Sequence, residues 1–296
     1  RFLLLGVLPS ILVFGTKVRH HESLKAAFLS RVKAVAMLTA VLLATGTAFS
    51  SSYYSFFREH KAVWLYANPG AWIYSAARYS FGARKAEART VRPIGKDAAI
   101  PSSDTDRELI VLVVGESVRA DRFSLNGYGR ETNPLLAREN VISFSDFRSS
   151  GTSTAVSVPC MFSVYGRDGY SDRKARETEN LLDVLAHAGV HVLWRDNNSS
   201  SKGVADRVPY EDFRSSRTNP SCDEECRDEG MLSGLQEYID RTKEGDVLIV
   251  LHQMGNHGPA YYKRYPKRFE KFTPVCETNR LEECTAEQIG NAYDDA

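Results

Sequence analysis

Two nearly unbroken apolar runs open the chain, Phe2 to Phe14 (FLLLGVLPSILVF) and Ala34 to Phe49 (AVAMLTAVLLATGTAF). Each falls just short of the roughly 20 residues that cross a bilayer. The second can borrow Ser50 to Tyr54, whose tyrosines suit a membrane interface. Two buried core helices would give the same pattern, but the runs lie close together with no strand pattern nearby to cover them. Between them, KVRHHESLKAAFLSRVK carries Lys17, Arg19, Lys25, Arg31 and Lys33 against one acid, Glu22. Positive loops stay cytoplasmic, so the second run is expected to lead outward. Residues 1–54 therefore read as two spans joined by a cytoplasmic basic loop. Such an arrangement argues against a cleaved signal peptide.

The pattern then changes twice. Tyr53 to Tyr79 mixes aromatic rings with charges, as expected of a helix and bend at headgroup depth. An ordinary linker helix packed on the next domain is the alternative. From Ser80 to Asp106 the chain turns polar, with Pro93, Pro101 and SSDTD, so 55–105 reads as a surface helix and linker. From 106 to 296 short apolar runs alternate with helical spacing. Leu109 to Val114 has the continuous β-branched and leucine character of a strand buried on both faces. NLLDVLAHAG and GMLSGLQEYIDRTK have helical spacing, while VHVLWRDN and DVLIVLHQMGNHGP read as strands. Strands alternating with helices predict an α/β domain with a mainly parallel sheet flanked by helices. Ligands of such sheets sit beyond the carboxyl ends of the strands. That picks out Glu116, Asp196 to Lys202, and His252 to His257.

Composition adds two constraints. A net charge of +1 over 296 residues gives no hint of a nucleic-acid partner. The five cysteines, Cys160, Cys222, Cys226, Cys276 and Cys284, all follow residue 150. The spacings CDEEC and CETNRLEEC suit short-range disulfides in an oxidising compartment, Cys222–Cys226 and Cys276–Cys284, leaving Cys160 over. Zinc is the rival reading, although neither pair is a CxxC and acids rather than histidines surround both. The chain begins at Arg1 inside an apolar run and ends at NAYDDA without a stop signal, which reads as a fragment.

The candidate chemistry starts at Glu116, directly after VLVVG. A carboxylate there calls for a partner or a metal. SSGTSTAVSVPC (Ser149 to Cys160) is rich in hydroxyls, which are weak nucleophiles unless a base or metal lowers their pKa. A cation on Glu116 could activate one of them, and a helix N-terminus beneath it would favour a phosphate. A plain helix cap explains the same residues. RDNNSSSKG offers hydroxyls, amides and Lys202 to phosphate oxygens. His252 and His257 flank a glycine after a strand, in reach of metal, proton or phosphate roles.

Four stretches in order, VVGESVRADRFSLNGYGRETNP, GTSTAVSVPCMFS, DNNSSSKGV and HQMGNHGPAYYKRYP, resemble the lipid A phosphoethanolamine transferases. These are inner-membrane enzymes of Gram-negative bacteria, related to the mobile colistin-resistance enzymes that confer polymyxin resistance, within the alkaline phosphatase and sulfatase superfamily. The resemblance implies an alkaline phosphatase-like catalytic domain in the periplasm behind five membrane helices, of which this chain would supply the last two. It implies Thr154 as the nucleophile, Glu116 and Thr154 as ligands of Zn2+, His257 as a phosphate contact or proton carrier, and Ser199 and Lys202 as binders of phosphoethanolamine. The family's other zinc ligands belong to a late Asp-His motif beyond Ala296, so the fragment alone is expected to be inactive. Relatives often carry a cysteine where Ser150 stands, paired with the equivalent of Cys160.

The resulting expectation is a multi-pass transferase working as a monomer. It moves phosphoethanolamine from phosphatidylethanolamine to a lipid A phosphate through a covalent threonine intermediate. Alternatives are a relative acting on lipopolysaccharide core or another glycan, a membrane-anchored phosphohydrolase or sulfatase-like enzyme, and a binding or sensor domain without turnover.

Overall fold

The structure is a computed structural model that describes residues 23–50, 53, 70–83 and 90–296. The first apolar run, Phe2 to Phe14, and most of the aromatic stretch lie outside the described residues. The chain divides into two compact units, Arg1–Phe81 and Gly82–Ala296.

In the first unit, helix α1 spans Leu24–Ala48 and is 25 residues long. At 1.5 Å per residue it is long enough for a hydrocarbon core of about 30 Å. Its most apolar window has a mean hydropathy of 1.8, and none of the helix is buried in protein. By length and composition the helix is able to cross a membrane. The helix starts ten residues ahead of the apolar run because Ser23 caps it, its hydroxyl accepting from Ala26 N at 3.2 Å. Lys25, Arg31 and Lys33 thus ride on its first turns rather than in a loop. Thr45 and Thr47 donate to the carbonyls of Val41 and Leu43, each at 2.9 Å. Their hydroxyls are thereby satisfied within the helix. Helix α2 spans Gly70–Ala83.

The second unit is built on a parallel sheet, β1 (Leu109–Val114), β2 (His191–Asp196), β3 (Tyr210–Asp212) and β4 (Val247–His252), in the order β1-β4-β2-β3. Alternate side chains of each strand face opposite sides. On one side Val114, Val192, Trp194, Leu248 and Val250 pack with Val158 and Phe162 of helix α3 (Thr154–Phe162). Two short helices, α4 (Gly166–Gly169) and α5 (Asp172–Arg176), lead from α3 to α6 (Leu181–His187), whose Leu182 joins the same core. On the other side Val247, Ile249 and Leu251 meet Phe213, Met231 and Leu235 of helix α7 (Leu235–Arg241). Helix α8 spans Ala286–Asp295 and opens with a capping box of Thr285 and Gln288.

Two expectations need correction. Strand β1 is not buried on both faces: Leu109, Val111 and Val113 are 44–51% exposed. Within the described residues β1 is one of the two edge strands, β3 being the other, and the core on that face of the sheet draws on β4 rather than β1. GMLSGLQEYIDRTK is not one helix. It breaks into a 3-10 turn, Asp228–Leu232, and α7, because Gly234 adopts φ +65° at the junction.

Candidate active site

The sheet register places the candidate residues together. Val114, His252 and Asp196 are direct partners across β1, β4 and β2. The three segments picked out by sequence therefore leave the sheet at one level. Gly255 (φ +47°) lets the β4 loop close over β1: a Cβ there would stand 2.9 Å from the Glu116 carbonyl oxygen. The loop is held by Asn256 N donating to that carbonyl at 3.0 Å and by Gln253 N donating to Val114 O at 3.0 Å.

Thr154 is the first residue of α3, and its hydroxyl donates to Glu116 Oε2 at 2.6 Å. Ser153 occupies the N-cap but makes no capping bond through its side chain. The hydroxyl-rich turn therefore leaves first-turn amides uncapped by side chains. Gly151 is needed for the approach to α3, since a Cβ there would lie 2.8 Å from Val156 Cγ1. Glu116 Oε2 also accepts from Asn198 Nδ2 at 3.3 Å, and Oε1 accepts from Ser117 Oγ at 2.7 Å. Partial burial raises the Glu116 pKa. The hydrogen bonds from Thr154, Ser117 and Asn198, with the field of His257, outweigh that effect and hold it below the ordinary value.

Lys202 Nζ donates to Ser199 Oγ, and Ser199 Oγ donates to Asn198 Oδ1 at 2.9 Å. Ser200 and Lys202 both adopt positive φ, +143° and +55°. Such conformations cost energy and recur at functional turns. His257 is exposed, with Nδ1–H donating to Gly258 O at 2.9 Å. His252, the other histidine of that motif, is fully buried and bound to Asp196. Cys222–Cys226 and Cys276–Cys284 are disulfides, and Cys160 is buried and free.

Three residues of the site carried no individual signal in the sequence. Asn198 lies inside a polar run already singled out, but nothing distinguishes it from Asn197. Asp228 follows the Cys222–Cys226 hairpin and accepts from Met254 N at 2.8 Å and Gly255 N at 2.9 Å, bracing the β4 loop. Tyr293 of α8 donates to Ser117 O at 2.7 Å and accepts from Arg119 N at 2.9 Å. Such long-range bonds leave no periodic trace.

Glu116 and Thr154 present a carboxylate and a hydroxyl, two oxygen donors suited to a divalent cation. Among the described residues, no group of three or more His, Cys, Asp or Glu side chains comes together to hold one.

Residues 108–296 match the Sulfatase family, and residues 1–82 match the family described as phosphoethanolamine transferase EptA/EptB. Phosphatidylethanolamine transferase Mcr-2 of Escherichia coli is 47% identical over 100% of this chain and 57% of its own length. Phosphoethanolamine transferase EptA of Escherichia coli K12 is 41% identical over 98% of this chain and 53% of its own length. The chain thus spans little more than half the length of these relatives. The crystal structure of the soluble domain of lipooligosaccharide phosphoethanolamine transferase A from Neisseria meningitidis is 40% identical. It superposes with a TM-score of 0.66 over 70% of this chain and 63% of that one. The integral membrane form of that protein is 36% identical, with a TM-score of 0.70 over 99% of this chain and 55% of that one. The chain belongs to the sulfatase family and, within it, to the phosphoethanolamine transferases related to EptA and Mcr.

Proposed function

We propose that the full protein moves phosphoethanolamine from phosphatidylethanolamine to a phosphate of lipid A through a covalent intermediate on Thr154. The observation that carries this reading is the 2.6 Å hydrogen bond from Thr154 Oγ1 to Glu116 Oε2 at the start of a helix. Mcr-2 is named for phosphatidylethanolamine transfer and the Neisseria meningitidis protein for lipooligosaccharide, which supports both substrates.

Thr154 Oγ1 attacks the headgroup phosphorus, and its proton passes to Glu116 Oε2. The bond between phosphorus and the diacylglycerol oxygen breaks, and that oxygen takes up a proton. His257, exposed and bonded through Nδ1, has its Nε2 side available for that transfer. Ser199 and Lys202 hold the phosphoryl oxygens, helped by the first amides of α3. A lipid A phosphate oxygen then attacks the same phosphorus, the bond from phosphorus to Thr154 Oγ1 breaks, and that oxygen takes its proton back from Glu116 Oε2, while the exposed His257 regains its proton from solvent. Glu116 and Thr154 would be the residues here that hold Zn2+, which when bound supplies positive charge that favours the ionised threonine oxygen.

Helix α1 tethers the enzyme to the membrane that holds both substrates, with the catalytic unit in the periplasm, where its two disulfides persist. The protein is read as a multi-pass, monomeric inner-membrane enzyme. Transfer adds an ammonium group to an anionic surface and weakens attraction of cationic peptides such as polymyxins. The test is Thr154→Ala in the full chain. Mass spectrometry should find no phosphoethanolamine adduct on the protein and none on lipid A; unchanged lipid A modification would refute the reading.

A further inference from the structure

Asp196 ends β2 with its side chain fully buried. A buried carboxylate costs stability unless it is well bonded, and an apolar residue of the same size would be cheaper. Here both oxygens are used. Oδ2 accepts from Trp194 Nε1 at 3.0 Å and is 2.9 Å from His252 Nδ1. Oδ1 accepts from Asn198 N at 3.0 Å. Trp194 and His252 are themselves fully buried and meet edge to face, with centroids 5.4 Å apart. His252 Nε2 has no hydrogen-bond partner among the described residues, so the ring's one polar contact is Asp196.

Asn198 converts this buried clamp into a contact with the candidate nucleophile's partner. Its Nδ2 donates to Gln253 O at 2.9 Å and to Glu116 Oε2 at 3.3 Å. Its Oδ1 accepts from Ser199 Oγ at 2.9 Å. Every polar atom of the carboxamide is occupied, which fixes its orientation. The backbone beneath it is pinned by Asp196 Oδ1. We infer that Asp196, clamped by Trp194 and His252, is a positioning residue that holds Asn198 against Glu116 and thereby sets the Glu116–Thr154 pair.

The geometry makes Asp196→Asn informative. An amide cannot accept from both Trp194 Nε1–H and Asn198 N–H, because one of its two ends is a donor. Either the clamp or the Asn198 backbone bond is lost, with little change of volume. The inference rests on the transfer reading above, so one readout is independent of activity. In a crystal structure of the full chain carrying D196N, Asn198 Nδ2 should leave hydrogen-bond distance of Glu116 Oε2, with the sheet unchanged. Retention of that bond would overturn the inference whatever the activity.

The kinetic readout is a double-mutant cycle on Thr154 adduct formation. D196N should slow it about tenfold, the size expected for one hydrogen bond to a charged group, with KM for the donor lipid within about twofold of the original. In an Asn198→Ala background the same substitution should cost less than about twofold, since its effect passes through Asn198. Losses that multiply in the two backgrounds would mark Asp196 as merely structural. If D196N does not fold, Trp194→Phe keeps the carboxylate and removes one clamp donor; it should show the same dependence on Asn198. Absence of any adduct in the unsubstituted protein would sink the transfer reading alone and leave the crystallographic test standing.

Discussion

At the scale of single residues, Glu116 is the side chain on which the proposed transfer turns. Its Oε2 takes hydrogen bonds from Thr154 and Asn198. Replacing it with Gln puts an amide, which takes up no proton, where the carboxylate accepts from Thr154. Loss of a positioned base typically costs about 100-fold or more, so Glu116→Gln should lower the single-turnover rate of adduct formation by at least that factor. The sign of the pH dependence follows from the same contacts. The Glu116 pKa lies below its ordinary value, so the ionised form persists as pH falls. The rate should therefore stay free of a Glu116 step from pH ~7 down to ~5 and drop only below the usual carboxylate range of about 4.3. A titration step above pH ~5 that vanishes in E116Q would contradict the assignment. Glu116 and Asp196–Lys202 were legible as positions because an acid or polar run straight after a continuous apolar run has few structural uses. Asp228 and Tyr293 were not. Their roles consist of two bonds each to loop backbone far along the chain, and no spacing rule announces such bonds.

At the scale of elements, alternation of apolar runs revealed all three long strands and the parallel sheet. It missed the three-residue β3 and misjudged how much of β1 is covered. A continuous apolar strand reports its composition, whereas burial depends on which strand lies at the edge. The split of the α7 segment was missed because helical spacing continues across Gly234, and only its positive φ breaks the helix. Gly255 is a sharper case of the same physics. Its φ of +47° and the 2.9 Å approach to Glu116 O leave no room for a side chain. An L-residue in the left-handed region costs about 1–2 kcal/mol before any clash is counted. Gly255→Ala should therefore push the β4 loop off β1, lower the thermal midpoint, and slow adduct formation about tenfold through Glu116. Unchanged rate and midpoint would show that the loop tolerates the shift.

At the scale of the whole molecule, the site and the cores are separable. Glu116 and Thr154 meet on the rim, at the carboxyl ends of the strands, while the two apolar clusters lie on the faces of the sheet behind them. The carboxylate bonds that brace the loops, Asp228 to Met254 N and Gly255 N, and Asp196 to Asn198 N, involve neither Glu116 nor Thr154. A cation bound at the pair would thus add charge to the chemistry without holding the fold together, unlike a structural zinc whose loss unfolds its domain. Stripping divalent metal from the full protein with a chelator should lower Thr154 adduct formation at least about 100-fold, while near-ultraviolet circular dichroism and both disulfides stay unchanged. Returning Zn2+ should restore the rate, and in Glu116→Gln it should restore far less. Loss of the near-ultraviolet signal on chelation would mean that the metal is a structural element of the catalytic unit. Full activity after verified metal removal would mean that Glu116 alone activates Thr154.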